Sequence, residues 1–208
     1  CCYFKFADPD ALANTGTYNT NYLISDPRIN DTNETLSFSA STITAATSGT
    51  FDDVIVGDFI HITGATNPEN NGTFKITTKT SGTVVVTDGV FTTESNTASC
   101  KIRQNIKGAE ALSLEASTNT STGTLKVGDY LQIQGTSTTT SNPVQLVQVV
   151  EDATVTTQSG SPNHFSVRIE PKLRADFADG NYAVFTNPKG LFRLISPEIG
   201  WSEDQASH

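Results

Sequence analysis

The sequence predicts an all-β protein with two tandem small modules. Three observations predict it. Gly, Pro, Thr, Ser and Asn are abundant and the apolar residues are mostly Val, Ile, Leu and Phe, while long runs of Leu, Ala, Glu and Lys are missing. Short apolar stretches alternate with polar residues at a period of two and are punctuated by turn signals, with no helical periodicity. Finally, Val56-Gly-Asp-Phe-Ile-His-Ile-Thr-Gly64 has a close relative in Val127-Gly-Asp-Tyr-Leu-Gln-Ile-Gln-Gly135.

Residues 1–35 read as amino-terminal strands and a linker. Tyr3-Phe-Lys-Phe6 alternates as a short strand and Ala7-Asp-Pro-Asp10 turns. Asn14 to Asn21 is too polar for core and precedes a strand at Tyr22-Leu-Ile24. Asp26-Pro27 ends that strand because proline has no N–H to offer a ladder. Asn30-Asp-Thr-Asn-Glu-Thr35 reads as a polar connection that sets a boundary.

The first module covers residues 36–103. It opens at Leu36-Ser-Phe38 and reaches Val56, where Gly57-Asp58 turns the chain into Phe59-Ile-His-Ile62 with Ile60 and Ile62 on one face. Asn67-Pro-Glu-Asn-Asn-Gly72 reads as a hairpin connection. Phe74 and Ile76 alternate on the next strand, Val84-Val-Val86 follows, Asp88-Gly89 reads as a further turn, and Ala98 to Ile102 closes the module. About five short strands are expected.

The second module, residues 104–188, repeats this order through Leu112-Ser-Leu114, Leu125-Lys-Val127, Tyr130-Leu-Gln-Ile133, Phe165 to Ile169 and Tyr182 to Phe185. Gly57 and Gly128 lie 71 positions apart, and so do Phe74 and Gln145, which predicts equal spacing from turn to second strand. Matching strand order over such a length points to duplication. Strands this short suggest partly closed barrels or sandwiches of the SH3 or OB kind, which remove exposed sheet edges by closing. Residues 189–208 differ. Leu191-Phe-Arg-Leu-Ile195 is apolar on both faces and is expected to enter a larger β-sandwich beside the Tyr3 to Phe6 strand.

Net charge is −9 and the basic residues are scattered, which argues against an electrostatic grip on nucleic acid. No run approaches the ~18 apolar residues of a membrane span. With no methionine and a start at Cys1-Cys2, the sequence reads as processed or as a portion of a longer chain, a mature lipoprotein being the other reading. Cys1, Cys2 and Cys100 are odd in number and show no metal spacing, so all three are expected as free thiols in a reduced compartment.

Candidate chemistry is sparse. His61, His164 and His208 have no ligand spacing, and His61 is expected to be solvated or at an edge. No nucleophile elbow or phosphate loop occurs, so nucleophilic and phosphoryl-transfer enzymes have no starting residue. Asp52 with Asp53 and Glu151 with Asp152 are sequence neighbours, which on a strand face opposite ways and cannot flank one glycosidic bond; Asp8 and Asp10 surround a proline in a turn. Asn67-x-Glu69-x-Asn71-Gly72 mimics half of a calcium loop, but Thr78 stands where a bidentate glutamate is needed. No catalytic residue, metal or cofactor is expected.

The segments Ile106-Lys-Gly-Ala109, Leu125 to Ile133, Arg168-Ile-Glu-Pro-Lys-Leu-Arg174, Asn187-Pro-Lys-Gly-Leu-Phe-Arg-Leu194 and Glu198-Ile-Gly-Trp-Ser202 resemble, in order, a family of tailed-bacteriophage distal tail proteins. The likeness spans about residues 104–202. The 36–103 module departs from the family pattern and resembles an inserted or duplicated β-module of a kind that recurs in many phage virion proteins, which implies a place in the viral tail and baseplate. The resemblance implies a structural protein of the virion, assembled in the bacterial host cytoplasm, that forms a homo-oligomeric ring, hexameric in the family. Its partners would be the tail tube protein and the tail-tip hub protein. Phe192, Leu194 and Trp201 are expected in the sandwich core or at a subunit contact. The other readings are a carbohydrate- or receptor-binding module that holds host surface glycan, and another tube or neck protein.

Overall fold

The computed structural model describes residues 2–5, 21–24, 27–115, 123–134, 145–155, 164–177, 181–184 and 189–192. Its regular elements are strands, apart from one 3-10 turn at Pro68–Asn70. The all-β expectation holds.

The first barrel contains β3 (Asn30–Ala45), β4 (Phe59–Thr63), β5 (Gly72–Lys79) and β6 (Val84–Arg103). Four strands fill five positions because β6 is long and bent. Its first part pairs with β5 and the end of β3, as in Ile76↔Thr87 and Thr42↔Val86. The last part pairs with β4 and the start of β3, as in Ile62↔Ile102 and Asn30↔Arg103. Together with the β4–β5 hairpin, these pairings close into a cycle.

Two expectations change here. Asp88-Gly89 does not reverse the chain, since β6 runs through it. Instead, register shifts along β3–β6 and positive φ at Ala40, Asn96 and Ser99 bend the paired strands, as bulges do. The boundary expected at 35/36 also falls inside β3. The polar run from Asn30 to Thr35 is strand, and Glu34 within it is 1% exposed. Its carboxylate accepts hydrogen bonds from the N–H groups of Thr35 and Thr47 and from the Thr50 hydroxyl. Those donors make burial of a charge tolerable there.

The second barrel contains β2 (Asn21–Ile24), β7 (Ala111–Glu115), β9 (Tyr130–Gln134), β10 (Gln145–Val149), β12 (His164–Glu170) and β13 (Tyr182–Val184). Its cyclic order is β7-β12-β10-β9-β13-β2. With β3, the two parts of β6, β5 and β4 in the matching places, the first barrel has the same order. The difference is β2, which sits between β7 and β13 where β3 meets β6 directly. The Tyr22 to Ile24 strand, expected with the amino-terminal sandwich, therefore belongs to the second barrel. Since β2 precedes and β7 follows the first barrel, the second is assembled around an insertion. Asn30 and Arg103, near its two ends, are cross-strand partners.

A small outlying pair, β8 (Gly123–Leu125) with β11 (Ala153–Val155), flanks this barrel. A separate two-stranded sheet joins β1 (Cys2–Lys5) to β14 (Lys189–Phe192) in antiparallel register, with Tyr3 opposite Leu191. Segments 2–5 and 189–192 are thus adjacent.

Each barrel has its own core. Leu36, Phe38, Ile43, Ile60 and Ile62 centre the first, and Leu112, Leu114, Leu131, Ile133 and Val147 the second. Ile60 and Ile62 are fully buried, as are Leu131 and Ile133 in the equivalent places. Burying a side chain of this size contributes about 1.5–3 kcal/mol. Cys100 lies buried in the first core as a free thiol, and desolvation and the nearby Glu94 charge push its pKa up.

Candidate functional site: the seam between the barrels

The repeated Gly-Asp turns have the same internal construction. Gly57 and Gly128 take φ of 96° and 99°, a region that disfavours any side chain. Each glycine N–H donates to a strand carbonyl, Ile76 O or Val149 O, and each aspartate carbonyl accepts from that same strand residue. A carboxylate oxygen then accepts the N–H three residues back, Ile55 to Asp58 Oδ2 at 3.0 Å and Lys126 to Asp129 Oδ2 at 2.8 Å. Matching Ile76 with Val149 corrects the equal spacing expected from the sequence. The second copy has two more residues between turn and strand.

In the first copy, the turn carboxylate also joins the barrels. Asp58, 1% exposed, accepts from Arg28 Nη1 at 3.0 Å through Oδ2 and from the Ser166 hydroxyl at 3.0 Å through Oδ1. Arg28 is itself largely buried, and its backbone N–H donates to Gln104 Oε1, while Gln104 Nε2 donates to Phe59 O. The charge is thus paired and hydrogen-bonded, the condition under which a buried ion pair is tolerated.

A second anchor is Thr73 on β5. Its hydroxyl oxygen accepts the Glu110 N–H at 2.9 Å and lies 2.9 Å from His61 Nδ1, and its carbonyl accepts from Arg168 Nη2 at 3.4 Å. Beside it, Lys75 Nζ and the Arg168 guanidinium sit 5.5 and 5.4 Å from the centre of the Phe59 ring. These cations meet Glu151 and Asp88: Lys75 bonds Glu151, and Arg168 lies 3.5 Å from Asp88 Oδ2 and 4.0 Å from Glu151 Oε2. Cations over a buried ring gain from its quadrupole. Partly exposed ion pairs contribute little singly, but here they form a network across the seam.

The seam is tight around His61, where only about 10 Å³ of space remains between Phe59, Thr73, Gln104 and Ala109. A separate cleft of about 320 Å³ between the barrels is lined by Ile55, Val56, Asp58, Lys75, His164 and Ser166. Ile55 and Val56 are 40% and 58% exposed there.

His61 is neither the solvated nor the edge side chain expected, since β4 is paired on both sides at this residue. It is half-buried in the seam because β4, beyond its core face, packs against the 104–111 segment. His164 likewise lines the cleft, while His208 lies outside the described residues. Glu151 and Asp152 lie between strands rather than on one, and they serve different partners. Glu151 takes Lys75, and Asp152 takes Lys126 Nζ and the Val127 N–H. Asp52 and Asp53 also lie in a turn, and Asp8 and Asp10 are outside the described residues. Among the described residues no cluster of three metal-ligating side chains occurs.

The calcium-like loop is held by protein donors and acceptors. Glu94 accepts from the N–H groups of Thr66 and Asn67, from the amides of Asn67 and Asn70, and from the Thr97 hydroxyl. Asn71 Oδ1 accepts the Ala65 N–H and its amide donates to the Ala65 and Asn67 carbonyls, so the Asn71 side chain is spent within the β4–β5 connection. Phe192 lies on β14 with Cys2 opposite, whereas Leu194 and Trp201 are outside the described residues.

No family model, curated protein or solved structure matches this chain. Nothing in the sequence marked Arg28, Thr73 or Ser166: Thr73 and Ser166 look like ordinary polar residues of alternating strands, and Arg28 lies in a bend before β3. Only the Gly-Asp repeat pointed near the seam.

Proposed function

We propose that the chain is a structural protein of a tailed-phage virion, a distal-tail-like ring subunit that joins tail tube to tail-tip hub by self-association. The observation that carries this reading is the pairing of β1 with β14. The chain leaves a two-stranded sheet, builds two barrels and returns to it, the layout that the family resemblance over residues 104–202 implies. Among the described residues this sheet has two strands, which alone are marginal in water, so it is suited to completion by further strands or subunits.

The inserted first barrel would project from the ring as an added module. Its attachment through Asp58, Thr73 and Arg168, closed at neutral pH, suits a geometric role, in which orientation matters more than chemistry. Closed homo-oligomers bury complementary surfaces around a rotation axis, as a tube requires.

The glycan-binding reading has weaker support. Phe38, Phe51, Phe59 and Phe91 of the first barrel are buried and Phe74 is half-buried, so these rings offer no stacking platform for a sugar. No helix of the described residues is long and apolar enough to cross a membrane. Labelled antibody against residues 36–103 tests the placement on particles viewed by electron microscopy. A ring of label at the junction of tube and tip is expected, and label on the capsid or along the whole tube would reject it.

A further inference from the structure

We propose that the seam between the barrels is an acid-sensitive hinge, closed while His61 is neutral and released when His61 takes a proton. The geometry around Thr73 carries this. Its hydroxyl oxygen already accepts the Glu110 N–H, so its own hydrogen is available for His61 Nδ1 at 2.9 Å. That arrangement uses a ring with Nδ1 bare and the proton on Nε2, which faces Gly108: a Cβ on that glycine would lie 3.6 Å from Nε2.

Protonation makes Nδ1 a donor. The Thr73 hydroxyl hydrogen must then turn to another acceptor, in a space of about 10 Å³, room for no more than one water. The new charge also meets a cationic surround. Lys172 on the 171–173 segment acts on it directly, Arg103 is its cross-strand neighbour on β6, and Arg168 of β12 holds the Thr73 carbonyl. The opposing carboxylate is Glu110, whose Oε1 is paired with Lys172 Nζ at 2.9 Å. Opening the hinge gives the imidazolium water and separates it from Lys172 and Arg168, while Arg103 stays beside it on the same barrel.

Burial and then Lys172 hold His61 below its ordinary value of 6.5, with Glu110 opposing them. A closed state that binds the proton more weakly than the open state keeps its full stability above pH 6.5. It loses stability as pH falls below 6.5. His164, at the far end of the seam, acts in the same sense. Burial and Arg28 lower its pKa against the pull of Asp58, while Glu115 lies 3.9 Å away and Lys75 and Asp152 line the same cleft. The carboxylates whose pKa values are depressed, Glu34, Glu94 and Asp152, act only below their ordinary values of 4.5, 4.5 and 3.8, so the histidine window is separate.

Hydrogen exchange on the whole chain tests the hinge, read at the Glu110 amide and corrected for intrinsic exchange. Between pH 7.5 and 5.5 its protection should fall, by up to about tenfold for each pH unit below 6.5. The amides of Leu131 and Val147, within the second barrel, should hold. In His61→Gln the Glu110 protection should lose most of its pH dependence, and in His164→Gln it should keep most of it. Constant protection in the parent protein, or an equal fall in His61→Gln, would overturn the proposal. Should His61→Gln not fold, the ring titration in the parent decides. A midpoint below 6.5 accompanied by shifts of the Gly108 and Glu110 amides supports the hinge, and a midpoint at or above 6.5 rejects it.

Discussion

Ser166, on a strand of the second barrel, donates its hydroxyl to Asp58 Oδ1, on a turn of the first, at 3.0 Å across 108 positions of sequence. The same carboxylate holds its own turn through the Ile55 N–H and pairs with Arg28. One side chain therefore ties local backbone geometry to the orientation of two barrels.

Ser166→Ala removes only the crossing bond, and a loss of at most about 1.5–3 kcal/mol is expected in urea unfolding, with the turn preserved. Asp58→Ala should cost more, about 3–5 kcal/mol, because it leaves the largely buried Arg28 guanidinium without its partner. Equal costs for the two variants would mean that Asp58 matters only through Ser166.

The glycines of the repeated turns should respond alike. A Cβ on Gly57 or Gly128 meets no atom within 4 Å, so alanine there carries only the backbone cost of positive φ, about 1–2 kcal/mol each. At Gly64 a Cβ would stand 2.9 Å from the Ser99 carbonyl oxygen, and φ is also positive. Gly64→Ala should therefore lower the melting temperature more than either of the others.

Glu94 makes the 64–71 connection sensitive to strong acid. Desolvation raises its pKa, but the hydrogen bonds from Thr97, Thr66, Asn67 and Asn70 outweigh it and hold the carboxyl well below the usual range. A depressed carboxyl contributes stability that is fully present above about pH 4.5 and lost as pH falls below it. Glu94→Gln should weaken the protein at pH 7 and flatten the acid side of its stability curve. An unchanged slope below pH 4.5 would assign that sensitivity to other groups.

The insertion has a direct consequence. Because Asn30 and Arg103 are cross-strand partners, a short glycine link can replace residues 31–102 without stretching the chain. The shortened protein should keep dispersed amide resonances for β7, β9, β10 and β12, with lower stability because the seam is lost. Collapse of those resonances would show that the second barrel needs the first.

The core of this fold was legible in the sequence and the seam was not. Alternation placed Ile60 and Ile62 inward because strand side chains repeat every two residues, and the turn chemistry of Gly57-Asp58 marked where the hairpin begins. By contrast, Asp88-Gly89 has the composition of a turn yet lies within β6, since the bend is supplied by bulges at Asn96 and Ser99 that no residue type announces. Glu34 looked like part of a linker because its burial depends on Thr47 and Thr50, which reach it only after folding. Thr73, Ser166 and Arg168 gain their roles from partners far along the chain. A polar residue on an outward strand face gives no sign of whether it meets water or a second barrel.

A symmetry-resolved electron microscopy map of the native particle containing this chain tests the proposed ring assembly. The ring account predicts density for its two barrels repeated around the tail axis, six-fold, where tube meets tip, with the first barrel outermost. A single copy off the axis, or repetition along the whole tube, would contradict it.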